Sequence, residues 1–355
     1  MFLGVAYYPE HWPTERWPID AKLMREANIA AARVGEFAWC RFEPREGEYD
    51  FAWMDAAIAT LANEGVKTIM CTPTATPPAW LCTAHPEVYP VDQTGLVLRP
   101  FGSRRHYCPT VEVYRDYCRK ITTAMVEHYG RHPDVIGWQI DNELGEVYYL
   151  DKGRCYCEAC RQGFSQWLQA KYGTLEALNE AWGTIFWSQE YTDWDQIVLP
   201  KRGTGGEGLS PSHVLDYYRF SSDSWVDFTR IQADILRAHS SGQWISTNFA
   251  CGTAHDLVSP EMPLYQGGTV WFPCIVDWRK LSESLDFPAW SSHVGGMAAA
   301  LSADYLRGIR EDGRYAVLEG GGPRLRSYGP VARGASGLAP FRWRRPLFGN
   351  ESGVD

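Results

Sequence analysis

The chain has no run of basic residues. Its 34 Lys and Arg are outnumbered by 43 Asp and Glu, for a formal charge of −9. A nucleic-acid partner is not expected, because phosphate binding needs concentrated positive charge. No apolar stretch approaches the ~18 residues that span a bilayer, so no membrane partner is expected either. The first residues, MFLGVAYYPEHW, have neither a charged leader nor a long apolar segment. They read as a first strand rather than an export signal, and a cytoplasmic location is expected. Internal repeats and low-complexity tracts are missing. So is a glycine-rich turn after the first apolar run, where Tyr7-Tyr8-Pro9-Glu10 stands instead. That counts against an open dinucleotide-binding sheet.

What is present is a globular composition. The 355 residues are 45% hydrophobic and 22% charged, enough for one large barrel or two ordinary domains. Sixteen Trp and nineteen Tyr are many for this length. Aromatic faces stack on the C–H faces of sugars and also fill cores. Ten Cys in a chain read as unsecreted point to thiols or metal ligands rather than disulfides.

Short apolar runs alternate with amphipathic stretches. Strands are expected at Phe2–Tyr7, Ala30–Val34, Lys67–Cys71, Val135–Ile140, Trp244–Asn248, Asp286–Trp290, Tyr315–Leu318 and Ala339–Trp343. Helices are expected at Ile19–Ala27, Phe51–Glu64, Val111–Tyr129, Ala159–Tyr172, His213–His239, Ala303–Glu311 and Leu325–Gly334. Eight β-then-α units predict an α/β fold, a closed (β/α)₈ TIM barrel with a parallel sheet. An open doubly wound sheet is the alternative. One domain over residues 1–355 is expected, with the last α unit missing. Gly203–Gly208 reads as a flexible loop.

Polar residues gather where these strands end, which is where barrel chemistry is built. The buried-strand pattern Val135–Ile140 stops at Asp141-Asn142-Glu143. Strand two runs into Arg33-Val34-Gly35-Glu36, strand five ends Thr247-Asn248-Phe249, and strand seven ends Leu318-Glu319. A barrel can aim Glu143 and Glu319 into one cleft. Two carboxylates ~5–5.5 Å apart support retaining glycoside hydrolysis, one as nucleophile and the other as acid and then base. The plainer alternative makes each a charged residue at a strand end. Cys155, Cys157 and Cys160 lie within six residues, and Cys108 lies on a connection at the same barrel face. Four thiolates could form a closed structural zinc site; reduced, metal-free thiols are the other reading.

Taken together, the motifs resemble glycoside hydrolase family 42, the β-galactosidases of a large retaining clan with (β/α)₈ barrels. The likeness rests on GVAYYPEHWP, RVGEFAWCRFEPREGEYDF, TPTATPPAWL, GSRRHYCP, WQIDNELG, CYCEAC and AWGTIFWSQEYTDWDQI, in that order. It implies acid/base catalysis by Glu143 and a nucleophilic Glu319. It implies sugar contacts from Arg104, Asn142, Trp187 and Glu351. It implies a structural Zn²⁺ on Cys108, Cys155, Cys157 and Cys160, with no organic cofactor. The implied partners are a β-galactoside substrate and copies of the chain, the family being trimeric.

The carboxyl half departs from the family pattern. Ala250–Val276 is longer than usual, Trp290-Ser291-Ser292-His293-Val294 replaces a Trp-Asp-Ser-Tyr-Pro run, and Glu319 passes through GGGP to the next helix without the expected Trp loop. The aromatic-His pair after Glu351 and the family's trimerisation and β domains are expected to be absent. The function expected is release of terminal β-D-galactose by double displacement. An α-L-arabinopyranosidase, another β-glycosidase and a catalytically impaired sugar-binding scaffold are the alternatives.

Overall fold

Nine parallel strands form one sheet in the order β5-β4-β3-β2-β1-β9-β8-β7-β6. They are β1 Phe2–Ala6, β2 Ala31–Val34, β3 Lys67–Cys71, β4 Val135–Gln139, β5 Trp244–Ser246, β6 Asn248–Phe249, β7 Ala289–Ser292, β8 Ala316–Gly320 and β9 Gly337–Leu338. The computed structural model describes residues 1–145, 154–201, 209–249, 276–292, 296–320 and 324–349. Glu351, the Gly203–Gly208 loop and residues 250–275 of the long stretch lie outside them.

The two ends of the strand order, β5 and β6, are separated only by Thr247. The expected fifth strand is thus one extended segment. Its first half pairs with β4 and its second half with β7, which closes the barrel. Two other boundaries differ from expectation. The sixth barrel strand begins at Ala289 rather than Asp286, because Asp286 turns its side chain onto the Ile245 amide (2.7 Å) and Pro288 has no N–H to enter the ladder. The last strand is Gly337–Leu338 rather than Ala339–Trp343. Pro340 interrupts it, although ladder bonds resume from Phe341 to Gly320 (2.7 Å) and from Trp343 to Ala6 (2.9 Å). No helix follows it among the described residues.

The seven expected helices form, six with ends shifted by at most two residues, while the one expected at Ala303–Glu311 spans Gly296–Ile309 and so begins seven residues earlier. Glu112–Tyr129 shows why they form. It buries Tyr114, Tyr117, Cys118, Ile121, Thr122, Met125, Val126 and Tyr129, alternating steps of three and one. That is one face of a helix. Among the described residues, four further α-helices were not expected: Trp39–Phe42, Ala79–Ala84, Leu175–Trp182 and Trp278–Ser282. They are too short for a periodic pattern to stand out.

Inside the barrel the period of two sorts side chains into layers. Ala31, Ile69, Phe287, Ala289, Ala316 and Leu318 form an apolar inner cluster. Two residues further along several strands, at the carboxyl end, stand Arg33, Cys71, Gln139 and Ser291, all buried. The barrel therefore carries a polar layer on an apolar plug. At β8 the pairing with β7 shifts register, from Trp290 opposite Val317 to Ser291 opposite Glu319. Leu318 is skipped, so both it and the next residue, Glu319, face inward. A bulge of this kind re-aims a side chain.

Candidate active site

The segment after β4 is held in an unfavourable backbone geometry. Asp141 and Glu143 have φ of 52° and 49°, a left-handed region that costs residues with a Cβ ~1–2 kcal/mol each. Hydrogen bonds around Asp141 hold the conformation. Its carboxylate accepts from the Asn142 amide (2.7 Å), Thr74 Oγ1 (2.6 Å) and Tyr107 Oη (2.8 Å), and its own amide donates to Thr72 Oγ1 (2.9 Å). Burial pushes the Asp141 carboxyl up, against those hydrogen bonds. Asp141 thus builds the turn that presents Asn142 and Glu143.

Glu143 is buried and meets two arginines. Arg105 Nη1 lies 3.0 Å from Glu143 Oε2, and Arg104 Nη2 lies 3.8 Å from the same oxygen. Arg105, at φ 55°, also reaches the carbonyls of Asn142 (3.4 Å) and Glu143 (3.3 Å). Arg104 is about one-third exposed and lies 5.7 Å over the Phe37 ring. Of the adjacent pair, the buried one is Arg105, which the sequence reading did not single out.

Glu319 ends the other side of the barrel. The Cβ of an alanine at Gly320 would lie 2.1 Å from the Ser292 carbonyl oxygen, and Gly320 has φ 119°. Only glycine lets the chain turn away there and leave Glu319 facing inward. Glu319 Oε2 receives hydrogen bonds from Arg33 Nη2 (3.3 Å) and Asn248 Nδ2 (2.9 Å). Arg33 also meets Gln139 Oε1 (2.8 Å) and Glu36 Oε2 (2.9 Å), and the Tyr8 hydroxyl donates to Glu36.

Asn248 links the two acids. Its Nδ2 donates to Glu319 Oε2, to Asn142 Oδ1 (2.7 Å) and to Ser291 Oγ (2.9 Å), and its Oδ1 accepts from the Glu143 amide (3.3 Å). One fully buried amide side chain therefore touches the residues that carry both carboxylates. The structure brings together Glu143, Asn142, Arg104 and Glu319. Trp187 stands on the Phe186–Ser188 turn, 66% exposed, with its described ring contact to Phe186. The residues missed as partners are Tyr8, Gln139, Arg105 and Ser291. Arg33, Glu36 and Asn248 had a signal, polar residues gathered where strands end.

The four cysteines also converge. The sulfurs of Cys108, Cys155, Cys157 and Cys160 all lie within 4.8 Å of one another. Cys108 Sγ is 3.4 Å from Cys160 Sγ and 3.8 Å from Cys157 Sγ. Hydrogen bonds from the other three, Cys108 first, hold the Cys157 thiol well below its usual range. Burial pushes Cys108 up. The cluster joins the loop bearing Arg104 and Arg105 to the helix Glu158–Tyr172, which follows the Glu143 segment in the chain. Around it the Val91 amide donates to Cys155 Sγ (3.3 Å) and the Tyr217 hydroxyl to the Cys155 carbonyl.

The family model for glycoside hydrolase family 42, described as β-galactosidase, matches residues 6–354. A β-galactosidase of Thermus thermophilus is 42% identical over 386 aligned residues, covering 98% of this chain and 56% of its own length. β-Galactosidase BgaH of Haloferax lucentense is 35% identical, covering 99% and 54%. Among solved structures, β-galactosidase from the psychrophilic Marinomonas ef1 superposes with a TM-score of 0.87 at 37% identity, over 99% of this chain and 55% of that one. The chain thus spans about half the length of the relatives it matches.

Proposed function

This chain belongs to glycoside hydrolase family 42, and we propose that it releases terminal non-reducing β-D-galactose from β-galactosides by double displacement. Glu319 attacks the anomeric carbon while Glu143 protonates the glycosidic oxygen, so the aglycone leaves as an alcohol and a galactosyl ester forms on Glu319. Glu143 then takes a proton from water as that water attacks the anomeric carbon, the C1–O bond to Glu319 breaks, and Glu319 leaves as carboxylate. The carrying observation is Asn248, whose side chain bonds Glu319, Asn142 and the Glu143 amide. Arg33 and Arg105 set a positive charge beside each acid. Arg104 and Asn142 are the groups available to hold sugar hydroxyls, and Trp187 and Glu351 are carried from the family likeness alone.

Purified protein assayed on chromogenic β-galactoside, β-glucoside and α-L-arabinopyranoside tests this. Fastest turnover of the galactoside is expected. Fastest turnover of the arabinopyranoside would move the assignment, since the two sugars differ only by CH₂OH, a difference worth ~1–3 kcal/mol. Turnover of none would leave a sugar-binding scaffold.

A structural Zn²⁺ on Cys108, Cys155, Cys157 and Cys160 is part of the same reading. Tetrahedral Zn–S bonds of ~2.3 Å require sulfurs ~3.8 Å apart, close to the spacing above. Held by these four thiolates, a zinc ion would cross-link the loop bearing Arg104 and Arg105 to the helix Glu158–Tyr172. Such a site needs reduced thiols, which fits the cytoplasm. Exposed Ile185, Phe186 and Trp187, each about two-thirds exposed or more, favour association between copies.

A further inference from the structure

Arg33 lies between two buried carboxylates. Its Nη1 faces Glu36 at 2.9 Å and its Nη2 faces Glu319 at 3.3 Å, with Arg33, Glu36 and Glu319 all nearly inaccessible. One positive charge cannot neutralise two negative ones. If both acids ionise, the trio carries a net negative charge in a water-poor space, so the pair favours keeping one proton. The contacts are unequal. Glu319 has Asn248 as a second donor, whereas Glu36 has the Tyr8 hydroxyl, a group that can also accept a proton's hydrogen bond.

We propose that Glu36 is a positioning residue that shares Arg33 with Glu319 and holds the proton of this carboxylate pair, so that its ionisation sets the charge beside the nucleophile. The inference rests on the glycosidase reading. Other charged or titratable groups facing Glu36 are Tyr8 and Glu10 beyond β1, Cys71 on β3 and Arg104 on the loop after β3; Arg41 faces Glu10 in turn. Burial pushes the Glu36 carboxyl up to about 7, against the pull of Arg33. Positive charge develops at the anomeric carbon in the transition state. An ionised Glu36 adds negative charge against the shared Arg33, beside the nucleophile Glu319, and accelerates the step.

The test is kcat/KM against pH for wild type, Glu36→Gln and Tyr8→Phe, with infrared titration of protonated carboxyls in parallel. Gln mimics protonated Glu36. The rate ratio of wild type to E36Q should lie near one below about pH 6 and grow by about three- to tenfold above about pH 8. A carboxyl signal that titrates near neutrality in wild type should vanish in E36Q. Tyr8→Phe removes a donor to the ionised carboxylate and should move that titration to higher pH. A ratio independent of pH, a neutral titration that persists in E36Q, or an unmoved titration in Y8F would each overturn the inference. Should E36Q not fold, Y8F decides alone. Wild type inactive on every glycoside would defeat the functional reading, while the infrared titration would still judge Glu36.

Discussion

Replacing Asn248 with Ala tests the joint that the active site is built on. The side chain makes four polar contacts, at 2.7, 2.9, 2.9 and 3.3 Å, and is fully buried. One contact is to a carboxylate, worth ~1.5–3 kcal/mol, and neutral ones are worth ~1 kcal/mol each. Allowing for non-additivity, N248A should lose about 3–5 kcal/mol of stability. The chemical cost is separate. Glu319 would keep Arg33 but lose its second donor, and the Glu143 amide would lose its acceptor. A shift of ~1 Å in either acid costs about 10²-fold in rate. The assay is kcat/KM on a chromogenic galactoside beside the thermal midpoint. Ser291→Ala is the control, since it removes one of the four contacts, about 1 kcal/mol, and should cost less than tenfold in rate. N248A within threefold of wild type, or S291A as damaging as N248A, would refute the reasoning.

Glu143→Ala should lose most activity on substrates with poor leaving groups and keep more on activated ones, with azide partly restoring turnover by attacking the ester. Azide without effect on turnover or product would count against the acid/base role. Elemental analysis of protein purified without chelator should give one zinc per chain, and stripping it should lower the thermal midpoint more than the chemical step; less than half an equivalent would remove the site from the account. Glu10 has buried carboxylate oxygens, and burial pushes its carboxyl from 4.5 up to about 7. Its folded state therefore binds a proton that the unfolded chain has lost between these values, so its contribution to stability falls as pH rises through that window. Glu10→Gln should match wild type near pH 4.5 and exceed it by up to about 3 kcal/mol above pH 8. Parallel curves of thermal midpoint against pH for the two proteins would contradict this.

The barrel was legible because its strands are buried on both faces. Ala31-Ala32-Arg33-Val34 and Tyr315–Leu318 read as near-continuous apolar runs between amphipathic helices. The strand ends misread, Asp286–Pro288 and Ala339–Trp343, are those where proline or a side-chain bond breaks the ladder, a local event with no periodic signature. The acids Glu143 and Glu319 were legible as polar residues closing such runs. Their partners were harder to read. Neighbouring arginines at 104 and 105 look alike in sequence, and only the φ of 55° at Arg105 turns that side chain onto Glu143. The register shift that brings Glu319 inward beside Leu318 exists only against β7. Glu36 sits in a motif carrying the family likeness, but its sharing of Arg33 with Glu319 depends on strands 286 residues apart meeting across the barrel.

The most direct measurement is trapping of the intermediate. A 2-fluorinated β-galactosyl donor with a good leaving group forms the ester but hydrolyses slowly, because the fluorine destabilises the positively charged transition state. Intact mass should rise by one fluorogalactosyl unit per chain, and peptide mapping should put it on Glu319 in the Tyr315–Gly320 segment. Inactivation without a covalent adduct, or an adduct on Glu143, Glu36 or any other residue, would contradict the assignment of Glu319 as nucleophile.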